Sequence, residues 1–557
     1  MTLSRESAAT AATQTDLSPD VANAFIGTGG ISASPQIAPT HARLLVWWRW
    51  WLPPTLLSLS LTLIFLHPFI GDWDGLDYTV LSVRGYPSSM MLGRSLFIFF
   101  NHALYLIAHK FFNVPADHAY VLFKYAVVAQ SPLAVIACWT LARHLTHSVQ
   151  SATIAALLVA LSPVFILYSG QVMTDVPSIL LLCLALIIHL QGVEKRSLWL
   201  ILAGAAILGA GVNVRETVGF FAPWLLIAPF VMRWKAGGRE LATIGASVAV
   251  FLLIAFAPFA LWITLNTEYW WDWHGWLVSM RNEAALHPVS MRSTIPFFTY
   301  FFLTAPMVFV ALPVAAWKEW CERGLSPTLA LAGVGLFATL LLFFNYSTAI
   351  VWRYFLTGLP ALAPIVADYF VREQTEKLKT APRGFASAAA GVLFVAALMV
   401  FFIQPKSSDY FNKLSMAKDY HAQLELVPRD AVVIPGSQTV AVTYWRGIGA
   451  GEWEVIGIGS GWPSGSLAEK IKGYLGSGRR VFLDSDRRWW PPCGWTVREI
   501  RELATLQSQF HFRRVTRTIY EVRPENDPLA TDNPDLQSLL PENRPDETRK
   551  CFNLGGS

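Results

Sequence analysis

The sequence predicts a polytopic α-helical membrane protein with a small α/β domain after its last membrane span. Of the 557 residues, 54% are hydrophobic and only 15% are charged, whereas an average soluble domain has about 25% charged residues. After residue 404 the apolar runs give way to mixed polar sequence. The net charge of +5 is small for this length, so nucleic acid is not expected as a partner.

The N-terminal residues 1–43 are rich in Ser, Thr, Ala and Gly, and they predict a disordered cytoplasmic tail rather than a signal peptide. Residues 44–404 contain eleven apolar runs. These runs are candidate spans, since a bilayer takes about 20 apolar residues. The predicted spans are 44–66, 119–142, 150–168, 175–191, 198–214, 217–232, 241–264, 295–316, 327–345, 354–371 and 385–404.

The basic residues predict how these spans are oriented. With the N-terminus in the cytoplasm, every loop assigned to the cytoplasm carries Lys or Arg, as cytoplasmic loops usually do. The assignment holds only if the apolar stretch 93–112 does not cross. That stretch is therefore predicted to be an interfacial helix along the outer face, within a long first outer loop, 67–118. The basic residues are Arg143; Lys195 and Arg196; Arg233, Lys235 and Arg239; Lys318 and Arg323; Arg372, Lys377, Lys379 and Arg383.

The region 405–524 predicts an extracytoplasmic α/β domain, because short β-rich runs alternate with helix-like stretches. A loose tail, 525–557, follows it. Cys493 and Cys551 then lie on the oxidising side, and the sequence leaves a disulfide between them open. The predicted strands are Ala431–Ile434, Trp453–Ile458 and Arg480–Asp484, and the predicted helices are 408–426, 466–475 and 496–508.

Ionisable residues close to the bilayer are the informative ones. A charge at mid-bilayer costs on the order of 3 kcal/mol, so such residues usually face a cavity. Here the charges outside the cytoplasm fall at one face, on loops far apart in sequence, and they predict a membrane-embedded active site that opens outward. They are Asp72, Asp74, Asp77, Arg84 and Arg94 in the first outer loop, Asp175 between spans 3 and 4, Arg215 and Glu216 between spans 5 and 6, Glu268, Asp272, Arg281, Glu283 and Arg292 in the next outer loop, and Arg353 at the start of span 10.

Two acidic motifs stand out among these charges. In GDWDGLDY at 71–78, Asp72 or Asp74 can act as a general base on an acceptor hydroxyl or as a metal ligand, or both can simply solvate a loop. Around Asp175, the pattern Thr-Asp-Val-Pro is typical of a helix start. This carboxylate can cap a helix, take part in chemistry, or do both.

Two arginines, Arg215 and Arg353, also stand out among these charges. Arg215 interrupts an apolar hairpin beside Glu216, where it can form an ion pair or bind a phosphate, because guanidinium matches phosphate geometry. Arg353 opens span 10 from the outer side. It can belong to the predicted site, or its side chain can simply reach towards the lipid headgroups. Tyr354 beside it is typical of an interfacial aromatic residue.

Together these motifs resemble those of the GT-C superfamily of integral-membrane glycosyltransferases, especially the bacterial relatives of protein O-mannosyltransferases and of the lipid A aminoarabinose transferase. The similarity covers about residues 44–404, and the order and common sidedness of the motifs give the signal. The matching pieces are the acid after span 1, the long first outer loop, the Ser-x5-Asp-x-Pro pattern at 169–177, Arg215 in an outer hairpin, and the pair Arg353-Tyr354.

The resemblance implies transfer of a sugar, with inversion, from a polyprenyl-phosphate donor to an acceptor hydroxyl at the periplasmic face of a bacterial inner membrane. Asp74 then deprotonates the acceptor, Asp175 positions the acceptor or the base, and Arg215 and Arg353 hold the lipid phosphate. Arg94, Glu216 and Tyr354 complete the expected substrate-binding set. The acceptor itself is not predicted.

The first motif departs from the family pattern, since many relatives have Asp-Glu where this chain has Asp74-Gly75. The resemblance therefore leaves open whether Asp72 or Asp74 is the base. The Asp-x-Asp spacing also leaves open a divalent ion, Mg²⁺ or Mn²⁺, as cofactor.

A transporter or flippase of a lipid-linked or small substrate is the alternative function. Transporters place polar residues and broken helices near the midplane, often in two related halves. The sequence has no half-to-half repeat, and its charges gather at one side. A non-catalytic assembly protein with the same fold is a third hypothesis. ATP is not expected, since no GxxxxGK[ST] loop is present.

Overall fold

The computed structural model of the protein describes residues 48–66, 73–85, 94–232, 234, 237–265, 294–346, 352–377, 418–456, 467–492, 496–524 and 532–548. Within these ranges the chain forms a helical module followed by an α/β domain, in agreement with the predicted fold class. The predicted boundaries at 43, 404 and 524 stay predictions.

The helical module contains fourteen helices among the residues described. They are α1 (Trp48–Ile64), α2 (Trp73–Arg84), α3 (Ser95–Phe112), α4 (Ala119–Thr146), α5 (Val149–Ala160), α6 (Pro163–Ser169), α7 (Asp175–Lys195), α8 (Leu198–Val212), α9 (Pro223–Val231), α10 (Gly238–Leu265), α11 (Thr294–Thr304), α12 (Pro306–Arg323), α13 (Pro327–Tyr346) and α14 (Leu359–Lys377). Two 3₁₀ segments, Glu216–Phe221 and Trp352–Thr357, lead into α9 and α14.

The first ten predicted spans each coincide with a helix or a pair of helices, and the eleventh, 385–404, lies outside the described residues. By length and apolar composition, four helical segments in the described part of the chain can cross a membrane, or six if each bent pair counts as one span. The predicted number of eleven is therefore not confirmed. Helix α3 is one of the four, so its interfacial position stays a prediction.

Two predicted spans are broken in the structure. Helices α5 and α6 meet at 65°, and α11 and α12 meet at 99°. Each break precedes a proline, Pro163 or Pro306, which lacks the N–H that would continue the hydrogen-bond ladder. The breaks also touch. The Ser162 hydroxyl accepts from Phe165 N at 3.2 Å and donates to the carbonyl of Thr304 at 2.7 Å, so one side chain joins both bends.

Helix α7 lies in the centre of the module, where it packs against α4, α8 and α9. Its Asp175 end and the N-terminal end of α14, preceded by Arg353, meet on one side of the module. Farther along α14, a second group of charges joins this helix to α12. There Arg372 Nη2 lies 2.5 Å from Glu319 Oε2 and 3.1 Å from Asp368 Oδ2.

These two groups of charges are well separated. Arg372 lies thirteen residues beyond Leu359, the first residue of α14, which is roughly 20 Å at 1.5 Å per residue. Lys318, Arg323 and Arg372 are among the residues assigned to cytoplasmic loops from the sequence. Their carboxylate partners on α12 and α14 give this end of the module its own ion-pair network.

The α/β domain contains one five-stranded sheet in the order β2-β1-β3-β5-β4. Strands β1, β2 and β3 run parallel, and β5 and β4 continue the sheet antiparallel. Three strands agree with the prediction, whereas β4, β5 and helix α15 were not predicted. The elements are β1 (Val432–Ile434), α15 (Thr439–Gly447), β2 (Glu454–Val455), α16 (Leu467–Gly476), β3 (Val481–Asp484), α17 (Thr496–Leu506), β4 (His511–Arg514) and β5 (Ile519–Arg523).

Candidate active site

The first acid of the candidate site is held by a short helix. Asp74 lies in the first turn of α2, where a carboxylate is favoured by the helix dipole. The next residue, Gly75, lies against the loop that leads to Asp175. A Cβ on Gly75 would come within 3.2 Å of the Val172 carbonyl oxygen and 3.5 Å of the Tyr120 ring. The missing side chain therefore lets α2 approach that loop closely.

Asp74 pairs with an arginine from the far end of the chain. Its Oδ2 accepts from Arg353 Nη2 at 2.6 Å, and Arg353 is only 8% exposed on the 3₁₀ segment before α14. The same guanidinium donates from Nη1 to Met173 Sδ at 3.8 Å. Three segments of the chain thus meet at one guanidinium group.

A second pair lies in the interior. Arg215 Nη1 is 2.6 Å from Asp175 Oδ1, and these side chains are 4% and 0% exposed. Arg215 Nη1 also donates to the Thr174 hydroxyl at 3.3 Å. Helix α7 begins at Asp175, as its sequence predicted, with Pro177 in the first turn. The Asp175 carboxylate faces Arg215, and no side-chain hydrogen bond caps the helix at Thr174.

A third pair joins the first outer loop to the Arg215 hairpin. Arg94 Nη2 lies 3.3 Å from Glu216 Oε1, and its guanidinium lies 5.4 Å from the centre of the Tyr78 ring. The backbone of Arg94 has φ 69°, in the left-handed region that non-glycine residues rarely adopt. Two hydrogen bonds to Asn213, from Ser95 Oγ at 3.2 Å and Leu96 N at 2.9 Å, hold the chain there.

Aromatic rings connect the first two pairs. The Tyr354 ring centre is 5.3 Å from the guanidinium carbon of Arg215 and 5.7 Å from that of Arg353. Tyr168 approaches Arg353 from another side at 5.9 Å, and its hydroxyl accepts from Trp352 Nε1 at 3.0 Å. Tyr168 was not predicted, since it lies in an apolar run; its position just before the Ser169 motif is the signal that could have found it.

The structure therefore brings together seven of the eight predicted site residues. The site combines three guanidinium groups with three carboxylates, those of Asp74, Asp175 and Glu216. Burial raises the pKa of Asp74, but the guanidinium groups of Arg353, Arg94 and Arg215 outweigh it and hold that pKa below its ordinary value. Asp74 is thus ionised at neutral pH and can accept a proton.

Asp72, the eighth residue, lies outside the described residues, so the choice between Asp72 and Asp74 is not made by geometry. The divalent ion that the sequence leaves open depends on the same Asp-x-Asp spacing, so it stays open as well. Among the residues that the structure describes, no three His, Cys, Asp or Glu side chains lie close enough to hold a metal ion. The Cys493–Cys551 disulfide falls outside the described ranges as well.

Comparison with known proteins gives similarities over most of the chain. Residues 102–262 match the family of dolichyl-phosphate-mannose-protein mannosyltransferases. An undecaprenyl phosphate-α-4-amino-4-deoxy-L-arabinose arabinosyl transferase of Pseudomonas aeruginosa (strain LESB58) is 26% identical over 355 residues, 61% of this chain and 59% of the relative. A similar enzyme of Pseudomonas fluorescens is also 26% identical, over 302 residues. The chain matches less than two thirds of the length of these relatives.

Two solved structures share the fold. ArnT from Cupriavidus metallidurans, bound to undecaprenyl phosphate, superposes with a TM-score of 0.56 and 12% identity over 89% of this chain and 100% of that one. The oligosaccharyltransferase AglB from Archaeoglobus fulgidus, with an inhibitory peptide and a dolichol-phosphate, gives 0.50 and 12% over 89% and 77%. The resemblance to GT-C glycosyltransferases is confirmed, and the chain has the GT-C fold.

Proposed function

We propose that the protein is a glycosyltransferase that moves a sugar from a polyprenyl-phosphate donor to an acceptor hydroxyl. The observation that carries this proposal is the meeting of two carboxylate–guanidinium pairs, Asp74–Arg353 and Asp175–Arg215, next to the ring of Tyr354. Relatives named for undecaprenyl phosphate as sugar carrier support the donor class.

In the proposed reaction Asp74 is the general base. As the acceptor oxygen forms a bond to the anomeric carbon, its proton moves to the Asp74 carboxylate. The bond from that carbon to the phosphate oxygen breaks, and the polyprenyl phosphate leaves with the electron pair. Attack on the side opposite to the leaving group inverts the anomeric configuration. The developing negative charge lies on the phosphate, where fixed guanidinium groups stabilise it.

In this scheme Arg353 can pair with either of two anions, the Asp74 carboxylate or the donor phosphate. It now pairs with Asp74 at 2.6 Å, and the phosphodiester of the donor is a competing anion of equal charge, which gains a second charge as it leaves. When the guanidinium turns to the phosphate, Asp74 loses the neighbouring cation that keeps its pKa low. The pKa of Asp74 then rises, and its carboxylate becomes a stronger base. Donor binding therefore precedes deprotonation of the acceptor.

The other residues orient these groups. Asp175 is fully buried against Arg215, so it fixes the direction of this guanidinium towards the phosphate. Glu216 does the same for Arg94, and the ring of Tyr354 lies next to both Arg215 and Arg353, whose charges repel each other. Like-charged groups held close together are a site for a multiply charged anion.

Replacing the base tests the proposal. We expect Asp74→Asn to reduce sugar transfer from an undecaprenyl-phosphate sugar by about 10²- to 10⁴-fold, the usual contribution of a general base. Asp77→Asn is the matched control, since it makes the same change on the same helix. Asp72→Asn decides between the two acids. Full activity of both Asp74→Asn and Asp72→Asn would remove the general base and refute this mechanism.

We place the reaction on the periplasmic side of a bacterial inner membrane. The separate basic network on α12 and α14 supports this side, because cytoplasmic ends of spans collect Lys and Arg. Asp117 is exposed in the turn between α3 and α4. In a chain freed of its native cysteines, Asp117→Cys is expected to react with a membrane-impermeant maleimide in spheroplasts. Labelling only after membrane disruption would reverse the orientation.

A further inference from the structure

We propose that helix α15 of the α/β domain is a positioning element of the reaction centre, because it holds the acid-bearing helix α2 in place. This inference rests on the proposed function, since it concerns the placement of Asp74. Helix α2 belongs to the first outer loop, and α15 lies more than 350 residues later in the chain, yet the two helices pack against each other.

At the contact between these two helices, α15 contributes a glycine, Gly447, which has no side chain. A Cβ on Gly447, the last residue of α15, would lie 2.7 and 2.8 Å from the two methyl carbons of Val80 on α2. Carbon atoms in contact prefer a separation of about 3.5–4.0 Å. An alanine at position 447 therefore requires a displacement of about 1 Å.

Val80 cannot relieve this clash by itself. It is 7% exposed, and β-branched side chains are restricted at χ1. Both of its methyl groups face Gly447, so a 120° rotation leaves at least one methyl group in the way. The helices must then move apart, and α2 is the element that carries the proposed base.

Movement of α2 reaches Asp74 directly. Val80 is six residues from Asp74 on the same helix, about 9 Å along its axis. The first turn of α2 is confined on its other side, where Gly75 lies against Val172 and Tyr120. Helix α2 is thus held between α15 on one side and Val172 and Tyr120 of the helical module on the other. A shift at Val80 alters the 2.6 Å pair between Asp74 and Arg353.

A residue of α15 also lies within electrostatic range of a second part of the outer loop. Burial raises the pKa of the Tyr444 hydroxyl, and the nearby carboxylate of Asp117, in the turn before α4, raises it further. Tyr444 and Trp445 are both buried. The α/β domain therefore packs on the first outer loop through α15, and its contact with α2 is the point that positions the acid-bearing helix.

A pair of substitutions on the full-length protein tests this. We expect Gly447→Ala to lower kcat for sugar transfer by about tenfold or more, since a misplacement of about 1 Å can reduce a rate by about 10²-fold. The donor KM should change less than threefold. Val80→Ala removes both methyl groups, so Val80→Ala/Gly447→Ala should recover kcat to within threefold of Val80→Ala alone. Gly473→Ala is the matched control: Gly473 lies on α16 of the same domain with nothing within 4 Å of its added Cβ.

The pH profile separates positioning from a general loss of stability. In Gly447→Ala the Asp74–Arg353 pair loosens, and the acid limb of kcat/KM moves to higher pH, because burial then raises the pKa of Asp74 with less opposition. Wild-type kcat in Gly447→Ala, or no recovery in the double variant, overturns the inference. If Gly447→Ala keeps wild-type kcat while Asp74→Asn is inactive in the same assay, this inference falls and the proposed function stands.

Discussion

Removal of the Arg215 guanidinium should destabilise the protein far more than removal of a guanidinium from an exposed pair of the same length. Arg215 and Asp175 are 2.6 Å apart with side chains 4% and 0% exposed, and Asp175 faces no other cation within salt-bridge distance in the described part of the chain. In Arg215→Met the carboxylate stays buried without its counter-charge. Breaking a buried pair from one side costs about 3–5 kcal/mol.

The α/β domain offers the matched control. Arg517 Nη2 lies 2.7 Å from Asp419 Oδ2, but these side chains are 62% and 43% exposed. An exposed pair contributes about 0–1 kcal/mol, because water solvates both charges when the pair is broken. Arg517→Met should therefore change the free energy of unfolding by no more than about 1 kcal/mol.

A double-mutant cycle completes the test. Arg215→Met/Asp175→Asn removes both charges of this buried pair, so it should be more stable than Arg215→Met alone. The measurement is the free energy of unfolding in mixed detergent micelles, followed by Trp fluorescence. If Arg215→Met and Arg517→Met lose equal stability, or if the double variant is less stable than Arg215→Met, the reasoning on burial is wrong.

Three further predictions concern other parts of the molecule. Arg353→Gln should move the acid limb of kcat/KM to higher pH, because burial then raises the pKa of Asp74 with one guanidinium fewer to oppose it; a shift to lower pH contradicts this. Burial raises the pKa of Asp484 from 3.8 to about 8, so the folded state holds a proton that the unfolded state has lost, and stability falls as pH rises between those values. Asp484→Asn should remove that slope in pH-dependent unfolding of the full chain, and an unchanged slope would assign it to other groups. Ser162→Ala should cost about 1 kcal/mol through the lost helix cap, measured by the same unfolding assay, and a neutral result would mean that the bends need no cap.

Much of the helical module could be predicted from hydropathy and charge. The predicted spans up to residue 371 fall on helices because apolar runs of this length have few alternatives in a bilayer. The breaks at Pro163 and Pro306 were not predicted, since hydropathy stays high across both. A proline within an apolar run also occurs in helices that continue, as Pro132 in α4 shows.

The sequence predicted which residues belong to the candidate site, but it did not predict which of them pair with each other. Sidedness was enough to gather Asp74, Asp175, Arg215 and Arg353 at one end of the module. Which carboxylate meets which guanidinium depends on packing between distant segments, and the sequence contains no such information. The neighbours Arg215 and Glu216 illustrate this, because each pairs with a residue from another segment instead of with the other.

Helix α15 was missed for a reason of composition. Its sequence, TVAVTYWRG, is rich in β-branched and aromatic residues, which favour strands. Burial of Ala441, Tyr444 and Trp445 on one side of a helix overrides that preference. Strands β4 and β5 were missed because their charged residues, Arg513 and Glu521 among them, pair across the sheet and hide the alternation of apolar residues.

Gly75 determines how closely α2 approaches the loop before Asp175. A side chain at position 75 would need space that the Val172 carbonyl and the Tyr120 ring now occupy. A larger residue at this position, such as Glu, therefore requires those two segments to lie farther from α2. The close approach of α2 to this loop thus depends on glycine at position 75.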